Sequence, residues 1–160
     1  MLVDFNSLVG SSKIWIYQSN REFSELEIEI IKGKLSDFVS NWKRHGDELR
    51  ASFDIRHNQF IILAVDEEYN NVSGCSIDAS THIFKQFESE FHIDLFNKLN
   101  TAFKDGEHIN VVSIGDFQKF VNDQRIDSGT VVFNNTISTK KELDTSWEVS
   151  ANESWHQRYF

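Results

Sequence analysis

The stretch Val72–Ala79, VSGCSIDA, contains the single cysteine of this 160-residue chain. It leads into an apolar spacing that predicts a helix, so Cys75 would lie near the positive end of a helix dipole. That position favours the nucleophilic thiolate form of a cysteine. His45 or His82 could serve as the general base if the fold brings either imidazole to the sulfur, and Asp78 completes this candidate catalytic set.

The same stretch permits an anion site or a purely structural role. The amides of Gly74, Cys75 and Ser76, with the hydroxyls of Ser73 and Ser76, could hold a phosphate or carboxylate at the helix start. More simply, Ser73 or Ser76 caps the helix and Cys75 packs as a small apolar side chain, because free cysteine is frequently buried. We favour this structural role, which predicts slow alkylation of the native thiol.

Other enzyme signatures are absent from the chain. It has no G-x-x-x-x-G-K-[ST] or G-x-G-x-x-G loop for nucleotide phosphates. Glu153 and His156 have the helical spacing of two metal ligands, but no further helix supplies matching ligands. The acidic and imidazole side chains between Glu88 and Asp94 would converge only on a strand, whereas their pattern is that of a helix end. We predict no metal site, and the cofactor is unknown.

Composition and charge narrow the class of protein. Hydrophobic residues make up 39% of the chain, including 14 Phe and 4 Trp, so we expect one domain spanning residues 1–160. The net charge is −9 and the basic residues are scattered, which disfavours nucleic-acid binding. No apolar run reaches the roughly 18 residues of a membrane span. A lone cysteine and the lack of a signal-peptide pattern favour a cytoplasmic location.

The first half of the chain predicts the element order β-α-β-β-α. A strand over residues 13–18 precedes a helix that begins at a Ser24/Glu27 capping box and ends at Gly46. An antiparallel hairpin follows, formed by the alternating ASFDIR and the apolar FIILAV, and the stretch around Cys75 starts the second helix.

A further strand in the second half of residues 99–114, LNTAFKDGEHINVVSI, would complete the βαββαβ order of a ferredoxin-like sheet. That stretch is ambiguous, because its apolar residues also fit a helical spacing, although Asp105-Gly106 is a good hairpin turn. A helix near GDFQKFVNDQ and the strand TVVFNN form a C-terminal αβ extension. The predicted class is therefore α+β.

The chain ends in large rings, Trp155, Tyr159 and Phe160. Exposed rings forgo a large hydrophobic contribution, so we expect this tail to dock. It either packs on its own domain or inserts into a second copy or a protein partner.

Five segments carry a resemblance to a known family: WIYQSNR, NWKRHG, SGCSIDAS, VFNN and WEVSANESWHQRYF. Together they resemble a family of small uncharacterised bacterial proteins that often carry the label "ABC transporter ATPase". The label implies a phosphate-binding loop with lysine, which this chain lacks. The resemblance implies a compact cytoplasmic protein and transfers no catalytic residue.

Two functions follow as hypotheses. The first is a small soluble binding or interaction protein without nucleotide hydrolysis, which could form a homodimer or bind a protein partner through its aromatic C-terminus. The alternative is a small enzyme that uses Cys75 as a nucleophile. An exposed sulfur bonded to an imidazole would favour the enzyme.

Overall fold

The computed structural model describes all residues 1–160 and confirms the α+β class. The strands are β1 (Lys13–Gln18), β2 (Lys43–Arg44), β3 (Asp47–Glu48), β4 (Ala51–Arg56), β5 (Phe60–Val65), β6 (Asn100–Asp105), β7 (His108–Ser113), β8 (Val131–Phe133) and β9 (Glu148–Ser150). The α-helices are α1 (Glu25–Ser40), α2 (Gly74–Phe91), α3 (Ile114–Asn122) and α4 (Lys140–Glu142). Short 3-10 turns span Phe5–Ser7, Ala151–Glu153 and Trp155–Tyr159, and a π-helical turn spans Leu143–Trp147.

The chain divides into two compact units. Unit 1 comprises Met1–Phe96 with Ser138–Lys140, and unit 2 comprises Asn97–Ile137 with Lys141–Phe160. The expectation that residues 1–160 form one domain stays a prediction. No helix is both long and apolar enough to cross a membrane.

Unit 1 contains an antiparallel three-stranded sheet in the order β1-β5-β4. Strand β5 is buried along its whole length, and its residues Ile61, Leu63 and Val65 belong to the core that α1 and α2 cover. The predicted β-α-β-β-α order is confirmed, with the short β2–β3 hairpin added between α1 and β4. The predicted helix end at Gly46 is wrong: α1 ends at Ser40, and Gly46 adopts φ +87° in the turn of a short β2–β3 hairpin.

The predicted ferredoxin-like order is not confirmed. The strand predicted in the second half of residues 99–114 is β7, but it belongs to the sheet of unit 2, in the order β7-β6-β8-β9. The first half of that stretch forms a further strand, β6. In unit 1 the segment Ser138–Lys140 meets β1 instead, where the Ile14 amide donates to the Ser138 carbonyl at 3.0 Å. Where the ferredoxin-like order predicts a fourth strand beside β1, the chain forms an isolated antiparallel bridge between Lys13 and Thr139.

Unit 2 packs α3 against its sheet through one fully buried ring, Phe117. The predicted hairpin turn is confirmed, because Gly106 takes φ +64° between β6 and β7. The predicted C-terminal helix and strand are α3 and β8. This unit therefore presents a hairpin, a helix and the loop that follows the helix.

Candidate functional site

Cys75 lies at the start of α2, as predicted, but its side chain is exposed. Ser73 is the N-cap residue, and its hydroxyl accepts from the Ser76 amide at 3.2 Å. The buried stripe of α2 passes through Ser76, Ser80 and Phe84 at four-residue spacing. Cys75 precedes that stripe by one residue, about 100° around the helix, and so faces solvent. The expectation that Cys75 packs as a buried side chain is wrong.

The structure shows no hydrogen bond between the Cys75 sulfur and an imidazole. His45 is exposed in the β2–β3 turn, and Asp78 is exposed one turn after the cysteine. His82 bonds to Gln86 at 3.2 Å and lies about 10.5 Å along the helix from Cys75. A nucleophile–base pair needs hydrogen-bond contact on substrate binding, and here the partners are separate.

The three candidate anion-binding residues are used largely within the helix cap. The Ser73 hydroxyl bonds the Ser76 amide, and the two hydroxyls lie 2.9 Å apart. The Ser76 hydroxyl also donates to the Lys43 carbonyl at 2.7 Å, and the Trp42 indole donates to the Ser76 carbonyl at 2.8 Å. Only the amides of Gly74 and Cys75 remain for an anion. The arrangement anchors α2 to β2, and anion binding stays a prediction.

Two of the three C-terminal rings, those of Trp155 and Tyr159, pack within unit 2, in agreement with the self-packing form of the prediction. Tyr159 packs edge-on against Phe117 at 5.9 Å, and the Gln118 amide donates to the Tyr159 carbonyl at 3.0 Å. Trp155 is partly buried, whereas Phe160 is 49% exposed. Binding of a partner through these rings stays a prediction.

His156 is the most buried residue of this tail, with no exposed surface. Its Nδ1 lies 2.8 Å from the Ser154 hydroxyl, its ring stacks on Trp155 at 3.7 Å, and its Nε2 has no partner. Burial, together with the nearby positive charge of Arg158, lowers the pKa of His156 to about 4. No group of three or more potential ligands in the structure could hold a metal ion. In the sequence, His156 has only the spacing of a metal ligand to Glu153, and no local pattern indicates its burial.

A pocket of about 320 Å³ opens in unit 2 between the β6–β7 hairpin and the segment after α3. It is lined by Phe103, Lys104, Asp105, Gly106, Asn110, Val112, Phe120, Arg125, Ile126 and Thr130. Apolar side chains form part of this lining, with polar and charged groups among them. The sequence analysis did not find this site.

One cation of the pocket is held over a ring. The Arg125 guanidinium lies 4.4 Å from the centre of the Phe120 ring. Gln124, with φ +61°, turns the chain at the end of α3, and the Arg125 amide then donates to the Phe120 carbonyl at 2.9 Å. The guanidinium makes no ion pair or hydrogen bond, in contrast to Lys104, which pairs with Glu148.

Comparison with protein-family models, curated proteins and solved structures finds no match to this chain. The chemistry of the pocket therefore has to follow from its own side chains.

Proposed function

We propose that this protein is a small cytoplasmic binding protein that holds a small molecule in the pocket of unit 2 and does not hydrolyse nucleotides. One observation carries the proposal: the pocket places the unpartnered polar groups of Arg125 and Asn110 beside the rings of Phe103 and Phe120. Ligand sites typically combine an apolar lining with a few such groups. A volume of 320 Å³ is at the small end of ligand sites and suits a metabolite-sized molecule.

The pocket favours binding over catalysis because it contains no activated nucleophile. Its one hydroxyl, on Thr130, accepts from the Asp127 amide at 3.0 Å and lies 3.5 Å from the Asp127 carboxylate. These bonds close the turn between the two residues. No histidine or cysteine lines the pocket.

Filling the pocket tests this function. Val112 is partly buried in the lining, so V112W should occupy the space that a ligand needs. A library of small polar and aromatic fragments is screened against the wild type and V112W by saturation-transfer NMR. We expect a set of fragments that bind the wild type and lose their signal with V112W.

Leu99→Trp is the matched control, because Leu99 is 63% exposed in the same unit and does not line the pocket. L99W should bind the same fragments as the wild type. The proposal fails if no fragment binds, or if folded V112W binds them as well as L99W does.

The enzyme hypothesis keeps one observation in its favour, the exposure of the Cys75 thiol at a helix start. Hydrolysis of thioesters and activated esters by the wild type, lost in C75S, would support it. We expect equal, background rates for both proteins, because no imidazole contacts the sulfur.

A further inference from the structure

The two cations that line the unit 2 pocket differ in whether they form an ion pair. Lys104 pairs with Glu148, so its charge is neutralised within the protein. Arg125 has no such partner, and Asp105, at the exposed hairpin turn, makes no salt bridge with it. The pocket therefore offers one free cation, with a single carboxylate at its rim.

The Arg125 guanidinium contacts a ring of the pocket in the absence of a ligand. Arg125 is an exposed residue, its guanidinium lies against the Phe120 ring, and the backbone bond between the two residues fixes where the side chain starts. A guanidinium stacked on a ring keeps its N–H groups directed outward at its edge. That edge matches the two oxygens of a carboxylate and can donate two parallel hydrogen bonds to them.

The rest of the lining selects the body of the ligand. Phe103 and Ile126 line the pocket but are almost fully buried, so the partly buried Val112 and Phe120 offer most of its apolar surface. The rings of Phe103 and Phe120 meet edge-on at 6.2 Å, an arrangement that a further ring can extend. An apolar or aromatic body of a few carbon atoms fits both the volume and the chemistry.

We propose that this pocket binds small monocarboxylates with an apolar or aromatic body, with Arg125 as the residue that binds the carboxylate. The inference rests on the proposed function and names its ligand class. Asp105 disfavours a second negative charge, so a phosphate monoester should bind more weakly than a carboxylate of the same body. The side-chain amide of Asn110, which has no partner, is available to a carboxylate oxygen.

Three probes of matched length test the ligand class: phenylacetate, phenylacetamide and phenyl phosphate, each with one linking atom between the phenyl ring and the head group. Titrations are followed by amide chemical shifts in ¹H–¹⁵N spectra and by calorimetry. We expect the carboxylate to bind at least about tenfold more tightly than the amide, since the charge-assisted bidentate pair is lost with the amide. It should also bind more tightly than the phosphate, because Asp105 repels the second negative charge. Its shifts should centre on the pocket residues.

Arg125→Gln should lower the affinity for the carboxylate about tenfold and leave that for the amide unchanged. Arg158→Gln is the matched control, because Arg158 is also a cation over a ring of unit 2, 5.9 Å from Trp155, and lies outside the pocket. R125K keeps the positive charge but cannot donate two parallel hydrogen bonds, so its affinity for the carboxylate should lie between those of R125Q and the wild type. It also serves if R125Q does not fold.

The inference is overturned if the amide binds as tightly as the carboxylate, if phenyl phosphate binds more tightly, or if R158Q weakens binding as much as R125Q does. If V112W-sensitive fragments exist but carboxylates are not among them, the ligand class fails and the binding function stands. If no fragment is sensitive to V112W, both fail together.

Discussion

The exposure of Cys75 makes its reactivity a direct test of the structure. The thiol faces solvent and makes no hydrogen bond, so a disulfide reagent should reach it in the folded protein. We expect the labelling rate of the native protein to be within about threefold of the rate in guanidinium, because access sets much of the reactivity of a thiol. A native rate many times lower would show that the sulfur is covered.

At Glu27, an ion pair and a helix cap act on the same carboxylate. Arg21 donates to both of its oxygens, at 2.8 and 2.9 Å, and the Ser24 amide donates to one of them at 2.9 Å. These bonds, led by those from Arg21 and opposed in part by burial, lower the pKa of Glu27 to about 2. The folded state therefore favours the charged form.

The lowered pKa of Glu27 predicts the direction of a pH effect. The pKa is lower in the folded chain than the ordinary 4.5, so the contribution of Glu27 is present above pH 4.5 and is lost as pH falls through about 2. The stability advantage of the wild type over E27Q, measured by urea unfolding, should shrink across that window. The Glu27 carboxyl, followed by NMR, should titrate at a higher pH in R21Q than in the wild type. An unchanged titration midpoint would contradict the role of Arg21.

At the scale of elements, the start of α2 is attached to β2 by Ser76. Ser76 is 2% exposed, and its hydroxyl bonds both the Lys43 carbonyl and the Ser73 hydroxyl. S76A should lower the free energy of unfolding by about 1 to 3 kcal/mol, because it removes a partly buried bond and leaves the Lys43 carbonyl without this donor. C75S, one residue away and exposed, should change it by less than about 0.5 kcal/mol. Equal effects in urea unfolding would contradict this anchoring role.

The C-terminal helical turns depend on a neutral imidazole. The pKa of His156 lies near 4 in the folded chain, below the ordinary 6.5, because burial disfavours the charged ring. Its contribution to stability is therefore present above pH 6.5 and declines as pH falls through about 4. The charged group that acts on it, Arg158, belongs to the same turn, and the ring of Phe117 faces it from α3.

The midpoint of the His156 ring protons, followed by NMR, measures this directly. We expect it near pH 4, and somewhat higher in R158Q, where the neighbouring positive charge is gone. The wild type should lose more unfolding free energy than H156N between pH 7 and 4. A midpoint at or above 6.5 would show that the ring is not buried as described.

The elements that the sequence predicts correctly are those with local signals. Ser24 and Glu27 form the predicted capping box, and Gly106 makes the predicted hairpin turn. The β2–β3 hairpin was missed because Trp42 continues the helical spacing of α1, although its indole in fact bonds the Ser76 carbonyl. That bond joins residues 34 positions apart, and no local pattern reports it.

At the scale of the whole molecule, local sequence patterns do not predict which sheet a strand joins, and they do not predict the pocket. Strand β7 has the predicted location in the chain, but its partner is β6 and not a strand of unit 1. The pocket requires Phe103 and Arg125 to meet, and their encounter depends on how α3 returns to the sheet. The docking of the tail could be predicted, because three rings near a chain end have a large apolar area to bury.

Two neighbouring rings of the tail test whether it packs on its own chain or on a partner. The Tyr159 ring is partly buried and packs edge-on against Phe117, so Y159A should cost about 2 to 4 kcal/mol of unfolding free energy, while the Gln118 bond to the Tyr159 backbone carbonyl is kept. Phe160 is 49% exposed, and F160A should cost less than about 0.5 kcal/mol. The matched pair separates packing from the mere loss of a ring.

The mass in solution, measured by sedimentation or light scattering, shows whether the exposed Phe160 ring lies in an interface between two copies of the chain. Self-docking predicts one mass for the wild type, Y159A and F160A, with a lower unfolding midpoint in Y159A alone. A wild-type dimer that F160A dissociates would place Phe160 in an interface between copies, since an exposed ring at the centre of a contact contributes strongly to association. If Y159A leaves both midpoint and mass unchanged, the packing of Tyr159 against Phe117 does not stabilise the tail, and the docked conformation itself is contradicted.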